Sequence, residues 1–508
     1  MPRVTDLAGW STRRKMLLAL AGGALTGLGQ APFGLVWLAL IGLAGGVWLF
    51  QNTATTRQAG WIGWAFGVGY FALVLNWIVE PFLVDIATYG WMAPFALIGM
   101  AAGMALFWAL AFWLARWQGR GIALVVFWAG TEVLRSVILT GFPWGLLGYI
   151  WLDTGIAQFA SLIGPHGLTL LTLAGVWALV TGLGHRKRII LVPVVVIVGA
   201  GLLYLGNGQA ASKLLYLAKN GGNSEPKFVR IIQTNAPQHE KWNREMIPVF
   251  FDRNLQFTAA VTERKPDLVI WPETSVPYLL NSAEGALQVI ADAADGVPVV
   301  LGMQRRGAAG EYYNSLVVLG ADGVVADVYD KSHLVPFGEY MPGGWLAAKL
   351  GLTGLAAQGG FGFGSGDGLR LVDIPGLGRA LPLICYEAIF PEEVGGVTPR
   401  PDWLLQITND AWFGNLTGPQ QHLAQARFRA IEQGLPMVRA ANTGISAMID
   451  ARGEITAQLG LGVAGYLDVK LPHGLPPTLY SRTGDLPVNL LLIVAAAALL
   501  LKRRRFIG

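Results

Sequence analysis

The segment Leu381-Pro382-Leu383-Ile384-Cys385-Tyr386-Glu387 is a short apolar run that ends at a cysteine and continues into a polar, acidic pair. Runs of this kind are typical of strands that are buried on both faces. Cys385 is the only cysteine in the 508 residues, so no disulfide can form within the chain. We interpret it as a nucleophile at a strand-to-helix turn, where a backbone N–H can stabilise an oxyanion. The alternative is a core cysteine at a strand end.

Two further segments place charged side chains next to predicted strands. Glu273 follows an apolar run, where partial burial would raise its pKa towards that of a general base. Lys331 is suited to stabilising an oxyanion and a neighbouring thiolate. Glu339 lies eight residues later, after two turn residues, and is expected to fold back to the same site. For each of these, the alternative is a charged side chain on a solvent-exposed loop.

Apolar strand-like runs alternate with helical stretches between residues 227 and 485, which is typical of a layered α/β domain. We predict strands at Phe228–Gln233, Asp267–Trp271, Val297–Gly302, Ser315–Leu319, Leu381–Cys385, Trp403–Thr408, Met437–Ala440 and Ser446–Ile449. We predict helices at Glu245–Glu263, Ala283–Ala294 and Pro419–Gln433. Residues 207–226 lose the apolar character of the preceding sequence and predict a linker.

The rest of the chain is strongly apolar. Hydrophobic residues make up 53% of the sequence and charged residues 14%, against about 25% charged in ordinary globular proteins. A bilayer-spanning helix needs roughly 20 apolar residues. Apolar stretches predict eight spans, seven within residues 1–206 and one within 486–508, near 16–28, 33–50, 59–79, 91–115, 121–138, 167–184, 189–206 and 486–501. The basic residues before the first stretch resemble a secretory signal, but because further spans follow directly we interpret it as a retained anchor.

The distribution of charge predicts the orientation in the membrane. Residues 207–485 contain 22 Lys and Arg against 27 Asp and Glu, whereas the remainder contains 15 against 5. Apart from Arg135, the basic residues outside 207–485 lie at alternate ends of the predicted spans. This distribution places both termini in the cytoplasm and residues 207–485 on the opposite side. The net charge of +5 therefore reflects membrane topology, and it does not indicate nucleic-acid binding.

Taken in chain order, Glu273, Lys331 and Cys385 resemble the triad of the nitrilase, or carbon–nitrogen hydrolase, superfamily. Within it, the sequence is similar to the bacterial apolipoprotein N-acyltransferases, in which several membrane helices, a periplasmic nitrilase-like domain and a final helix correspond to nearly the whole chain. The matching segments are Gly141–Trp144, Tyr313–Ser315, Lys331–Glu339, Cys385–Glu387, Asn409–Phe413, Gln421–Gly444 and Tyr480–Asp485.

This resemblance implies an αββα sandwich at residues 227–485 that exchanges acyl groups. Glu273 would be the general base, Lys331 would support the oxyanion and Cys385 would carry the acyl group as a thioester. The implied donor is the sn-1 chain of a phospholipid, with phosphatidylethanolamine expected, and the implied acceptor is the terminal amine of a diacylglyceryl-apolipoprotein. The family implies a monomer in the bacterial inner membrane, and no metal, nucleotide or other cofactor is expected.

The resemblance also implies roles for residues around the triad. Glu339 and Glu387 would be supporting carboxylates, and Tyr386 would shape the acyl pocket or simply pack beside it. Four aromatic side chains would bind substrate: Trp144, Trp242, Trp412 and Phe413. The last two would belong to a mobile lid that dips into the membrane.

Three other interpretations remain open at the level of sequence. A papain-like pair could join Cys385 to His333 or His422. A membrane-tethered nitrilase or amidase would use the same triad with water as the acceptor. A transporter or scaffold would depend on intramembrane charges, for which Glu132 and Arg135 are candidates, although these two are as well explained as a structural pair on one helix.

Overall fold

The apolar first part of the chain is helical in the computed structural model, which describes residues 9–184, 189–220, 225–343, 349 and 362–507. Residues up to Ser212 form one unit together with Leu416–Ala424 and Arg482–Gly508. Its first nine helices are α1 (Thr12–Gly27), α2 (Val36–Gln51), α3 (Thr56–Val74), α4 (Glu80–Leu83), α5 (Ile86–Tyr89), α6 (Ala93–Gln118), α7 (Ala123–Val137), α8 (Ala160–Gly184) and α9 (Leu191–Asn220).

Helices α1 and α3 lie in close backbone contact because each has a glycine at the interface. A Cβ atom on Gly23 would lie 1.9 Å from the carbonyl oxygen of Phe66, and one on Gly69 would lie 1.9 Å from that of Leu20. Small residues allow such approach between membrane helices, whose association depends on close packing because lipid is as apolar as the side chains. The packing therefore suits helices in a bilayer.

The two intramembrane charges form a buried ion pair. The Arg135 guanidinium lies 2.8 Å from the Glu132 carboxylate on the same helix, α7. Arg135 also donates hydrogen bonds to the carbonyl oxygens of Phe142 and Trp144, while Glu132 accepts one from the Trp108 indole at 2.7 Å. These contacts fix the loop that follows α7, so the structural interpretation of this pair is favoured.

All eight predicted spans lie on helices, but most of these helices are too short to be counted as bilayer crossings. Among the described residues, three helical segments are long and apolar enough, namely 86–118, 155–184 and 191–216, and a bent pair around residue 75 would make a fourth. Helices α1 and α2 have 16 residues each and α7 has 15, below the roughly 20 that a crossing needs. The structure thus supports a helical membrane part, but not the predicted count of eight.

The predicted linker is mostly helical. Helix α9 continues to Asn220, so residues 207–220 are not an irregular connection, and residues 221–224 lie outside the described ranges. The reason is local composition, because this stretch is rich in Ala, Leu and Lys, which are strong helix formers. A loss of apolar character was therefore a poor guide to the end of the helix.

The second unit, Lys213–Asn415 with Gln425–Ser481, contains two six-stranded sheets. The strands are β1 (Phe228–Gln233), β2 (Leu268–Ile270), β3 (Val299–Arg306), β4 (Tyr312–Leu319), β5 (Val325–Asp330), β6 (Val372–Ile374), β7 (Gly378–Ile384), β8 (Trp403–Thr408), β9 (Met437–Ala441), β10 (Ser446–Ile449), β11 (Ile455–Leu459) and β12 (Gly465–Lys470). The further helices of the chain are α10 (Met246–Ala259), α11 (Glu284–Ala294), α12 (Pro391–Gly395), α13 (Gly418–Gln433), α14 (Tyr480–Thr483) and α15 (Leu486–Ile507).

Each sheet has parallel strands at its centre and antiparallel strands outside them. The orders are β12-β1-β2-β3-β4-β5 and β11-β10-β9-β8-β7-β6, with β1 to β3 parallel in one sheet and β7 to β9 parallel in the other. The sheets contact each other through β1 with β9 and β4 with β7. Side chains of α11 such as Leu287 and Ile290 pack with the buried residues of the first sheet. This is the two-sheet core that the predicted αββα sandwich requires.

Candidate active site

The cysteine lies where strand β7 ends. Cys385 begins a 3-10 turn, Cys385–Ile389, and has a backbone φ of +53°, which is uncommon for a residue other than glycine and is often found at functional sites. The turn is fixed on both sides, because Gln406 donates to the Cys385 carbonyl oxygen at 3.2 Å and the Ile384 N–H donates to Glu387 at 2.7 Å. The predicted strand-to-helix turn is therefore present.

The Cys385 thiol is buried, with 5% of the residue exposed. Burial raises the pKa of the thiol, and the charge of Glu273 raises it further. Lys331 and a hydrogen bond with the Thr408 side chain act in the opposite direction but do not outweigh burial. The resting side chain is therefore a protonated thiol, and it needs a base in order to react as a nucleophile.

Glu273 lies just past β2 and is tightly held. One carboxylate oxygen accepts a hydrogen bond from the Asn314 side-chain amide at 2.7 Å, and the other accepts the Asn409 backbone N–H at 2.6 Å. Burial raises the pKa of Glu273, while Lys331 and the Asn314 hydrogen bond limit the rise. A carboxylate with a raised pKa is suited to accept a proton near neutral pH.

Glycine at position 302 allows strand β3 to approach this carboxylate. A Cβ on Gly302 would lie 2.5 Å from the Thr274 nitrogen and 2.6 Å from the Glu273 Cα. Thr274 itself has a φ of +48°, and the Gly302 carbonyl oxygen accepts the Ser275 N–H at 2.8 Å. The turn that carries Glu273 is thus shaped by its close contact with β3.

Lys331 follows β5 and lies between two carboxylates. Its ammonium nitrogen is 2.8 Å from Glu339 and 3.9 Å from Glu273, and the residue is 1% exposed. Burial alone would lower the pKa of Lys331, but the charges of Glu339 and Glu273 outweigh burial and raise it. Lys331 therefore stays an ammonium, and the structure brings it together with Glu273 as the sequence predicted.

The two carboxylates that were predicted to support the site, Glu339 and Glu387, have different partners. Glu339 binds Lys331 through one oxygen and accepts the Val335 N–H at 2.8 Å through the other. Glu387 accepts the Tyr329 hydroxyl at 2.6 Å, the Ser332 N–H at 2.7 Å and, through its second oxygen, the N–H of Ile384. Glu387 thus links the loop that carries Lys331 to the turn that carries Cys385.

The predicted substrate-binding aromatic residues differ in exposure. Trp242 is 40% exposed, whereas Phe413 is 7% exposed and Trp412 is intermediate. In the first unit, Trp144 is fully buried and donates its indole N–H to Gln421 at 2.6 Å, so its described contacts are internal packing.

The remaining predicted side chains also have defined contacts. Tyr386 is buried, with its ring edge-on to Phe390, as packing requires. His333 hydrogen-bonds Glu393 at 2.7 Å and stacks on the same phenylalanine. His422 lies against Trp144 in the first unit. These contacts join the two histidines to Glu393, Phe390 and Trp144.

Sequence reasoning did not single out three residues of the site. Asn314 and Asn409 hydrogen-bond Glu273, and the buried Lys241 donates from Nζ to the Glu273 carbonyl oxygen at 3.2 Å. All three lie in or beside segments that were discussed above for other reasons. Each of their contacts with Glu273, however, joins residues that are far apart in the chain. The sequence signal that could have found these residues is a position at the end of one strand that lies close to the end of another strand.

The two six-stranded sheets and the family match of this part of the chain indicate an enzyme of the carbon–nitrogen hydrolase class. Residues 229–475 match the carbon-nitrogen hydrolase family, and residues 22–178 match the apolipoprotein N-acyltransferase N-terminal domain. Solved structures similar to part of the chain include an amidase from Nesterenkonia sp. AN1 and a carbon-nitrogen hydrolase from Helicobacter pylori. The amidase is 20% identical with a TM-score of 0.36, and the match covers 48% of this chain and 90% of the amidase. The Helicobacter pylori protein is 20% identical with a TM-score of 0.39, and the match covers 49% of this chain and 89% of that protein.

Relatives that match nearly the whole chain identify the family more closely. An apolipoprotein N-acyltransferase of Rhodopseudomonas palustris and one of Bradyrhizobium diazoefficiens are each 40% identical, over 95% of this chain and 94% of theirs. One of Sinorhizobium fredii is 38% identical over 89% of both chains. The chain belongs to the apolipoprotein N-acyltransferase family.

Proposed function

We propose that this protein moves an acyl chain from a phospholipid to the terminal amine of a diacylglyceryl-apolipoprotein, through a thioester on Cys385. The observation that carries the proposal is the buried cluster in which the Lys331 ammonium lies 3.9 Å from Glu273 and 2.8 Å from Glu339, with both Glu273 and Lys331 acting electrostatically on the Cys385 thiol. Membership of the family and the names of its relatives support the same reaction.

In the first step, the Cys385 sulfur attacks the carbonyl carbon of the sn-1 ester while its proton passes to Glu273. The Lys331 ammonium stabilises the negative charge that develops on the carbonyl oxygen. The ester C–O bond then breaks, and Glu273 returns the proton to the departing glycerol oxygen. The products are the acyl thioester and a lysophospholipid, and phosphatidylethanolamine is the expected donor.

In the second step, the α-amine of the diacylglyceryl-cysteine attacks the thioester carbon. Glu273 takes a proton from the amine, and the C–S bond breaks as the amide forms. The proton passes to the sulfur, so the thiol is restored. A thioester reacts with amines more readily than an oxygen ester does, which favours this order of steps.

The surroundings of the site carry the finer parts of the proposal. Glu339 holds the Lys331 ammonium and Glu387 holds the loops on either side of it, while Tyr386 packs beside the acyl pocket. We assign substrate contacts to the four aromatic residues Trp144, Trp242, Trp412 and Phe413. The enzyme would act as a monomer in the bacterial inner membrane.

The membrane arrangement is also part of the proposal. All eight apolar segments would contribute to the membrane domain, including those too short to be counted as crossings by length. Residues 227–485 would lie in the periplasm and both termini in the cytoplasm, as the distribution of Lys and Arg predicts. Both substrates would then reach the site from within the bilayer.

Mass spectrometry of the purified protein with isotope-labelled phosphatidylethanolamine alone tests the proposal. We expect an adduct of one acyl chain on Cys385, which disappears with formation of the amide when a diacylglyceryl peptide is added. The Cys385→Ala variant is the control and should carry no adduct. Absence of an adduct on the folded wild-type protein would contradict the mechanism, and release of free fatty acid in place of the amide would indicate a hydrolase.

A further inference from the structure

A second buried lysine lies next to Glu273. Lys241 is 7% exposed and donates from Nζ to the Glu273 carbonyl oxygen at 3.2 Å. Its Nζ also lies 5.5 Å from the centre of the Trp242 ring. In the part of the chain that the structure describes, no carboxylate forms an ion pair with it. Burying an ammonium without a paired carboxylate is unfavourable, so this residue requires an explanation other than stability.

The turn that carries Lys241 is attached to the same residues that hold Glu273. The Lys241 N–H donates to the Pro237 carbonyl oxygen at 2.8 Å. Gln238, in this turn, accepts the side-chain amide of Asn409 at 2.8 Å. The backbone N–H of that same Asn409 donates to Glu273 at 2.6 Å. The turn that carries Lys241 and the carboxylate of Glu273 are therefore linked through Asn409.

In the described part of the chain, four side chains contribute the charges that face Glu273. Lys331 and, more weakly, Lys241 favour its ionised form, Glu339 opposes it, and Cys385 would add negative charge as a thiolate. The ammonium of Lys331 lies closer to Glu339 than to Glu273, at 2.8 Å against 3.9 Å. Glu273 thus shares the positive charge of Lys331 with a second carboxylate. Among the described residues, Glu273 is the acidic group whose charge acts on Lys241.

We propose that Lys241 is a positioning residue for the reaction, whose positive charge keeps Glu273 ionised and ready to accept the Cys385 proton. This inference rests on Glu273 being the base in the proposed function. Burial lowers the pKa of Lys241 to about 8, and the charge of Glu273 opposes that decrease. Lys241 is therefore mostly protonated at neutral pH and loses its charge as the pH rises through about 8.

The test measures single-turnover acylation of Cys385 by labelled phospholipid between pH 5 and pH 9. We compare wild-type protein with Lys241→Gln, which keeps a hydrogen-bond donor but loses the charge, and Lys241→Arg, which keeps the charge. Without the charge, the pKa of Glu273 rises, so the acid limb of the pH profile should move up by about half a pH unit. At pH values below that limb the acylation rate should be about threefold lower than in wild type, with little change on the plateau.

The controls separate charge from contact. Lys241→Arg should keep the acid limb of the wild-type pH profile. Lys227 forms an ion pair with Asp267 at 3.2 Å, and Lys227→Gln should leave the pH profile unchanged. Superimposable profiles for Lys241→Gln and wild type would overturn the inference, as would an equal displacement in Lys241→Arg. Failure of the proposed function looks different, because the wild-type protein would then form no thioester at any pH.

A second measurement does not require a folded Lys241 variant. Because electrostatic coupling is reciprocal, Glu273→Gln should lower the pKa of Lys241 and expose more of its free amine. Competitive acetylation at pH 7, followed by mass spectrometry, should then show Lys241 reacting several-fold faster in Glu273→Gln than in wild type, with Lys227 as the internal reference. Equal Lys241 rates in the two proteins would overturn the inference.

Discussion

At the scale of single residues, the state of the Cys385 thiol determines how the site must operate. Its pKa is raised by burial and by the charge of Glu273, and Lys331 only partly opposes this. The site therefore differs from those thiol enzymes in which a neighbouring cation maintains a resting thiolate. Deprotonation and attack on the carbonyl must be coupled, which makes the position of Glu273 decisive.

The first prediction concerns the reactivity of this thiol. Below its pKa, the thiolate fraction grows about tenfold per pH unit, so alkylation of Cys385 by iodoacetamide should keep accelerating from pH 7 to pH 9. Mass spectrometry of the single cysteine gives the rate directly. Protein unfolded in guanidinium is the reference, and its rate should level off near the pKa of an ordinary thiol. A plateau below pH 8 in the folded protein would show that a thiolate is already present.

The second prediction concerns Glu273→Gln. Each carboxylate oxygen of Glu273 accepts a hydrogen bond from a donor, Asn314 or Asn409, so a glutamine must turn its NH₂ group towards one of these donors. With the base also lost, we expect acylation of Cys385 to slow by about 10²- to 10⁴-fold. Glu263→Gln, at an exposed position, is the matched control. A rate within threefold of wild type would exclude Glu273 as the base.

At the scale of structural elements, the predicted strands and the missed ones differ in position. The eight predicted strands are all present, and four of the twelve strands found in the described residues were not predicted: β5, β6, β11 and β12. These four are the edges of the two sheets. An edge strand is exposed along one side, so it lacks the continuous apolar run by which central strands are recognised. The burial pattern of β11, in which no residue is fully buried, illustrates this.

The residues of the candidate site were likewise predictable only in part. Glu273 and Cys385 lie at the ends of predicted apolar strands, so local sequence was sufficient to single them out. Lys331 follows the unpredicted strand β5, and it was singled out because the Glu–Lys–Cys order resembles a known triad. Asn409 and Lys241 were missed because their importance comes from contacts between chain segments far apart in sequence. An amide or a lysine after a strand has many ordinary explanations, and only the fold shows which explanation applies.

The third prediction tests the contact between β3 and the turn that carries Glu273. Gly302→Ala places a Cβ within 2.6 Å of backbone atoms of Thr274 and Glu273, so the turn must move. We expect a loss of about 1–3 kcal/mol in stability and a fall of up to about 100-fold in acylation, because small displacements of a reacting group are costly. Thermal unfolding and single-turnover assays measure the two effects.

A second glycine provides the control for that experiment. Gly285 lies in helix α11, and a Cβ there would contact nothing within 4 Å. Gly285→Ala should leave acylation unchanged and stabilise the domain slightly, since alanine favours a helix more than glycine does. If Gly302→Ala behaved like this control, the close approach of β3 would have no importance for the site.

At the scale of the whole molecule, the number of membrane crossings was harder to predict than their positions. Every predicted span is a helix, yet α1, α2 and α7 are shorter than a bilayer crossing needs. Hydropathy indicates where apolar helices lie, but their ends depend on caps, turns and breaks that it does not register. The bend of 64° after α3 is one such break.

The fourth prediction tests the orientation of the chain. The single cysteine allows a clean experiment, because Cys385→Ala removes all background thiol. In that variant, Ala309→Cys and Ala54→Cys introduce thiols at exposed positions. A membrane-impermeant maleimide applied to spheroplasts should label the first and not the second until the membrane is broken. Labelling of position 54 alone would reverse the proposed orientation.

The hydrogen bonds of Glu387 have a consequence for how the reaction centre is lost. One side chain accepts backbone N–H groups from Ser332 and His333, beside Lys331, and from Ile384, beside Cys385. Both segments donate hydrogen bonds to Glu387. If either segment unfolded alone, the buried Glu387 carboxylate would lose hydrogen-bond donors, which is unfavourable. The three amides should therefore exchange with deuterium as one cooperative group, so the lysine and the cysteine would be lost in the same local unfolding event.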